Sequence, residues 1–151
     1  MRELSPASYR HAVTMTGELV DLFAGRDDGV NAIIATMIEL LPGADLLIYA
    51  GTLGFLEASK IDRKHYASIA SANWLASASL AAQKAGSGLF IDIGSTTTDI
   101  LLLEQGRVIA AGYSDYERLI SQELVYTGVV RTPVMAIGEN VEDQGKEVGL
   151  M

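Results

Sequence analysis

The sequence predicts an α/β fold, and three observations carry that expectation. Val30, Ile33, Ile34, Met37, Ile38 and Leu41 recur at the i, i+3, i+4, i+7, i+8 and i+11 positions of one helical face. Short apolar runs bounded by glycine, Leu46 to Ala50 and Leu89 to Ile93, read as strands. A third run, Ile100 to Leu103, follows the second after the tight turn Gly94-Ser95-Thr96-Thr97, so the two form a hairpin.

Taken in chain order, residues 1–11 read as a connection. Ala12 to Met15 is a short strand, and Val20 to Phe23 is one helical turn. Asp27 or Asp28 is placed to cap the amphipathic helix, because a short acidic side chain accepts hydrogen bonds from its first free amides. Pro42-Gly43 ends it. After the strand at 46–50, Gly51 to Gly54 is a turn and Phe55 to Glu57 a returning strand. Asp62 caps a long Ala- and Ser-rich helix that runs to about Lys84 and stops at Gly86. Trp74, the only tryptophan, fills core volume. Residues 88–113 form an antiparallel meander, with Glu104 to Arg107 as its second turn and Val108 to Tyr113 as its third strand. Leu119 to Tyr126 is a strand or a short helix, Thr127 to Pro133 a polar loop, and Val134 to Ile137 apolar again. The tail from Gly138 is acidic and reads as loose. The change from helix-rich chain to meander divides the sequence into 1–86 and 87–151.

The 151 residues make one average domain, and 49% hydrophobic with 20% charged residues are globular values. A net charge of -8 leaves no basic surface to neutralise a nucleic acid backbone, so a general nucleic-acid binder is excluded. Phosphate can still be held by backbone N–H groups and a metal. The absence of cysteine excludes a disulfide scaffold, a thiolate nucleophile and a cysteine zinc site, and fits a cytoplasmic protein. His11 and His65 lie too far apart in sequence to make a metal motif. Met1 to Pro6 has no apolar signal region. No run reaches the roughly 18 apolar residues of a membrane span, so no membrane partner is expected.

The hairpin around Gly94 carries the chemistry. Gly94 lacks a Cβ, so the backbone can turn sharply there and approach a ligand. The residues after it bring hydroxyls and free amides into one concavity, and such nests bind anions. Asp92 beside it suits Mg²⁺, which prefers carboxylate, water and phosphate oxygens. An ordinary hairpin with a polar turn is the alternative. Consecutive apolar residues in the strands favour burial on both faces, and an acid ending such a strand needs a partner, either a cation or backbone donors.

The string Asp92-Ile-Gly-Ser-Thr-Thr-Thr-Asp99, followed by a third strand, resembles a phosphate motif of the superfamily of sugar kinases, actin and heat-shock chaperones. Those proteins hold phosphates in the cleft between two ribonuclease H-like lobes. Within that superfamily the chain resembles the hydantoinase/oxoprolinase group, and in particular its branch linked to tetrahydromethanopterin-dependent one-carbon transfer and methanofuran biosynthesis. The match rests on Ala12 to Leu19 with Arg26 and Gly29-Val30, on Ser71 to Trp74, on Asp92 to Asp99, and on Tyr126 to Pro133. The family's other Asp-x-Gly-Gly hairpin, at the start of the first lobe, has no counterpart here, and family members continue well past the Arg-Thr-Pro loop. The resemblance therefore implies an internal fragment: 1–86 as the end of a first ribonuclease H-like lobe and 87–151 as the start of a second, bearing the phosphate hairpin.

For the methanofuran branch the resemblance implies a condensing enzyme that joins an aminomethylfuran diphosphate to the phenol of glutamyl-tyramine and releases diphosphate. Gly94, Ser95, Thr96 and Thr97 would take the diphosphate oxygens, Asp92 would hold Mg²⁺, and Asp99 would orient the turn. Thr14, Thr16, Gly17 and Glu18 end a strand, where cleft residues gather in open α/β sheets. Glu18 is a base or substrate anchor, or else a carboxylate favoured by a helix dipole. Asn73 reaches the cleft or satisfies buried backbone, and Arg131 clamps a phosphate or sits solvated. An ATP-dependent amidohydrolase binding ATP or ADP at the same turn is the second implied activity, and a non-catalytic nucleotide-binding or interaction fragment the third. The implied partners are a phosphorylated small molecule and, through unpaired sheet edges, a second copy or the lobe the chain lacks.

Overall fold

The computed structural model describes residues 9–18, 20–132, 138 and 140–149. It is a mixed α/β structure in two units, Met1–Ser77 and Ala78–Met151. The apolar run Val134 to Ile137, Leu19 and residues 1–8 lie outside the described residues.

In the first unit, β1 (Arg10–Val13) pairs parallel with β2 (Asp45–Tyr49), Val13 standing opposite Ile48. Parallel neighbours require a crossover, and α1 (Arg26–Leu40) supplies it. β3 (Phe55–Glu57) then adds antiparallel to β2. The core gathers Met15, Val30, Ile34, Leu46, Ile48, Ala50, Ala58, Ile69 and Ala70, with Ile33, Met37 and Leu41 packed against it. Ile38 does not join that stripe and is half exposed. At 3.6 residues per turn it sits about 80° round the helix from Val30.

Three expectations for this unit change. Arg10 and His11 belong to β1 rather than to a connection. The segment Val20 to Phe23 makes turns, Phe23 N–H donating to the Val20 carbonyl at 3.1 Å, and no helix. Gly25, not an aspartate, caps α1, while Asp27 and Asp28 occupy the first turn, where the helix dipole favours them.

The long helix expected over 62–84 is broken. Asp62 does form a capping box with His65, but it opens only a 3₁₀ turn, Arg63–His65, that runs into α2 (Tyr66–Ile69). Ala70 is extended and Ser71 is left-handed, with φ of 55°. The helix resumes as α3 (Asn73–Ala85). The break has a partner: the Ser71 N–H donates to the Glu18 carboxylate at 2.7 Å instead of to a carbonyl one turn back.

In the second unit, β4 (Gly88–Ile93), β5 (Thr98–Glu104) and β6 (Arg107–Ile109) form the expected meander. Gln105 and Gly106 both have positive φ, as a tight hairpin between right-twisted strands requires. β6 stops at Ile109 rather than Tyr113, because the Ala111 and Gly112 amides turn to the Glu123 carboxylate at 2.7 and 2.9 Å. Leu101, Leu103 and Leu124 are buried. The apolar run of β4 is not buried on both faces: Leu89, Ile91 and Ile93, which share one face of the strand, are more than half exposed, as is Leu102 opposite Leu89 on β5.

α4 (Asp115–Ile120) begins earlier than expected, closed by a capping box between Ser114 and Glu117, and β7 (Leu124–Val125) follows it to pair with the start of β5. Within the tail, residues 140–149 form a hairpin rather than a loose segment, β8 (Asn140–Asp143) with β9 (Lys146–Gly149), turning at Gln144 and Gly145, both of positive φ.

Glu123 makes this unit acid-sensitive. Burial raises its carboxyl, but the Ala111 and Gly112 amides, the Ser121 hydroxyl and the Arg118 charge outweigh that and hold it below its ordinary 4.5. A carboxyl depressed by folding contributes stability above its unfolded value and loses it as pH falls through the folded one. Glu123→Gln should therefore lower the Tm at neutral pH, and the gap to wild type should narrow as the pH falls below 4.5. Parallel thermal melts across that range check this; a gap independent of pH would reject it.

Candidate functional site

The turn between β4 and β5 is closed by the Gly94 N–H donating to the Thr97 carbonyl at 2.8 Å. The Gly94 and Ser95 carbonyls are taken from outside. Val129 N–H donates to the Gly94 oxygen at 3.1 Å, and Val130 and Arg131 N–H both donate to the Ser95 oxygen, at 3.1 and 2.9 Å. The Thr98 hydroxyl ties the same loop down, donating to the Thr127 carbonyl at 2.6 Å. The amides of Ser95, Thr96 and Thr97, by contrast, meet no acceptor among the described residues. Three adjacent N–H donors with the Ser95 and Thr96 hydroxyls alongside are the inventory of an anion nest.

Asp92 and Asp99 stand directly opposite each other across the β4–β5 ladder. Their environments differ. Arg118, buried with 1% of its surface exposed, donates to the Asp99 carboxylate and, at 3.3 Å, to the Glu123 carbonyl. Asp99 is thereby neutralised. Asp92 is exposed, with no hydrogen bond or ion pair to any described residue. The described residues contain no cluster of three or more His, Asp or Glu side chains able to hold a metal. A single carboxylate beside an anion nest still fits Mg²⁺, which is commonly bound through one or two carboxylates together with phosphate oxygens and water.

The remaining predicted residues fall in different surroundings. Arg131 engages the turn through its backbone, and the residue itself is exposed. Asn73 opens α3 and is half buried, beside the buried Trp74. In the first unit, Thr14 and Thr16 are exposed and Gly17 is half buried in the segment after β1. Glu18 is 2% exposed; one carboxylate oxygen accepts from the Ser71 amide, and Oε2 has no partner among the described residues. Glu18 lies in no helix itself, and its carboxylate meets the chain at Ser71, two residues before α3. Gly29 packs on it so closely that a Cβ there would stand 2.1 Å from the Glu18 carbonyl oxygen.

Sequence reasoning missed Arg118, and it named Ser71 only within the Ser71 to Trp74 match, with no role of its own. The Ser114-x-x-Glu117 capping signature could have placed α4 and with it Arg118. The partnership of Glu18 with Ser71 has no local signal.

The hydantoinase/oxoprolinase family profile matches residues 10–149, which takes in both units' strands and helices. The chain belongs to the hydantoinase/oxoprolinase family. Among curated proteins it is 33% identical over 140 residues to the (4-{4-[2-(gamma-L-glutamylamino)ethyl]phenoxymethyl}furan-2-yl)methanamine synthase of Methanocaldococcus jannaschii, covering 92% of this chain and 42% of that protein. The synthase of the same name from Methanococcus vannielii is 40% identical over 53 residues, 35% of this chain and 23% of that protein. The chain thus spans less than half the length of these relatives.

Truncating Arg118 to Ala would leave Asp99 without its counter-charge. Breaking a buried pair from one side costs about 3–5 kcal/mol, so Arg118→Ala should lose stability of that order in urea unfolding. A loss below about 1 kcal/mol would place the pair among weak surface bridges.

Proposed function

We propose that the Gly94–Thr97 turn binds a diphosphate group, and that the chain is part of an enzyme performing the chemistry of its synthase relatives. The observation that carries this reading is the set of spare amides at Ser95, Thr96 and Thr97 beside the unpaired Asp92. The relatives' name describes a phenoxymethyl-furan linkage. Such an ether forms when a phenol oxygen attacks a furan methylene as the bond to its leaving group breaks. An aminomethylfuran diphosphate and glutamyl-tyramine would meet this requirement: the leaving electron pair departs on diphosphate, and the phenolic proton passes to a base.

In this reading the turn amides take the diphosphate oxygens, where fixed donors stabilise charge as it develops. Asp92 holds Mg²⁺, which supplies further stabilisation of the leaving group. Glu18 serves as base or substrate anchor, Arg131 as a clamp, and Thr14, Thr16, Gly17 and Asn73 as cleft residues. The two units are parts of ribonuclease H-like lobes of the actin-like ATPase type, in a cytoplasmic enzyme. The exposed apolar face of β4 supports association with further polypeptide, either a second copy or the remainder of a longer chain.

A thermal-shift titration with Mg²⁺ plus diphosphate, ADP or ATP tests the site. A ligand at a hundred times its Kd stabilises a folded chain by about 2.7 kcal/mol. Diphosphate should raise the Tm of the wild type, and Asp92→Ala should abolish that shift. A response to ATP alone would favour an ATP-dependent amidohydrolase, and no response to any of the three would reject the turn as a phosphate site.

A further inference from the structure

The loop following β7 presses on the phosphate turn at a position that only glycine can occupy. A Cβ on Gly128 would stand 2.5 Å from both the Ser95 carbonyl carbon and the Thr96 nitrogen, and 2.6 Å from the Ser95 oxygen. All three are backbone atoms of the turn, so no side chain can swing aside to make room. The close approach brings the amides of Val129, Val130 and Arg131 onto the Gly94 and Ser95 carbonyls. The Gly128 N–H in turn donates to the Arg131 carbonyl at 3.3 Å, folding the loop back on itself.

Each peptide unit has one donor and one acceptor at opposite ends. Fixing the carbonyls of Gly94 and Ser95 therefore fixes the direction of the Ser95 and Thr96 amides. We infer that Gly128 is a positioning residue for the anion site, acting through the turn backbone: the loop over 127–131 holds the Ser95 and Thr96 amides pre-aimed at an incoming phosphate. This deepens the function proposed above and rests on the turn being a phosphate site. Gly128 touches no ligand in this account. Its role is to remove the reorganisation that a free turn would undergo on binding, which is what makes fixed donors effective.

The test uses the whole 151-residue chain, inorganic diphosphate with Mg²⁺ as the probe, and amide NMR shifts as the readout. Gly128→Ala introduces the clash. Thr98→Val removes the hydroxyl that ties down Thr127 without adding bulk. Leu103→Ala is the control: Leu103 is 3% exposed and pairs with Gly88 at the end of β5 remote from the turn, so its loss destabilises the same unit without touching the loop or its anchor. In the wild type, diphosphate should shift the Ser95, Thr96 and Thr97 amides. Gly128→Ala and Thr98→Val should each weaken that binding, Gly128→Ala by about tenfold or more, while Leu103→Ala lowers the Tm and leaves the Kd unchanged. Should Gly128→Ala fail to fold, Thr98→Val against Leu103→Ala carries the comparison. Wild-type affinity in both turn variants, or an equal loss in Leu103→Ala, would overturn the positioning role while leaving the phosphate site intact. No amide shifts in the wild type would overturn both.

Discussion

Arg118 is the only basic side chain among the buried polar and charged residues described, and its charge organises the second unit. A buried guanidinium must have its charge matched and its donors engaged. Asp99 supplies the charge and the Glu123 carbonyl a further acceptor. That carbonyl also receives the Ile100 amide at 2.8 Å, so one atom joins α4 to β5. The Glu123 side chain takes the Ala111 and Gly112 amides and ends β6. From this anchor the chain enters β7, which pairs with the start of β5 and delivers the 126–131 loop to the turn. The Arg118–Asp99 pair is therefore structural, and it has a chemical by-product. With Asp99 paired, Asp92 opposite it keeps an uncompensated charge next to the spare amides of Ser95, Thr96 and Thr97.

The first unit uses a side chain in a similar way. Glu18 reaches across the sequence to the Ser71 amide and holds a left-handed residue between α2 and α3. A carboxylate accepting a backbone N–H makes a charge-assisted bond, stronger than the helical bond it replaces. Gly29 permits that arrangement by lying against the Glu18 backbone with no room for a side chain. In both units, then, a buried ionic group and a close-packed glycine set the path of the backbone.

These features bear on how the chain could work within the hydantoinase/oxoprolinase family. Its relatives are more than twice as long as the matched region. Yet the turn, the acid beside it and the loop that braces it all fall within residues 92–131 and are assembled by local antiparallel pairing. What the turn offers a ligand is backbone donors, which an acidic chain of net charge -8 can present without a basic surface.

The sequence by itself determined the α/β class, the order strand, helix, strand over the first fifty residues and the β4–turn–β5 hairpin. It also singled out the turn as the place where chemistry would occur. Those features are written in short-range patterns: the periodicity of α1, the apolar runs, and a glycine where the chain must bend. The tertiary structure decided what depends on partners distant in sequence. Ser71 breaks a stretch whose composition favours one continuous helix because Glu18, more than fifty residues earlier, takes its amide. Arg118 reads locally as an ordinary helix cation and becomes a core residue because β5 presents Asp99 to it. Gly128 reads as one more loop glycine until Ser95 and Thr96 are found against it. Local propensity is a sum over neighbours in the chain, whereas burying a polar group is decided by whichever donor or acceptor the fold brings within reach.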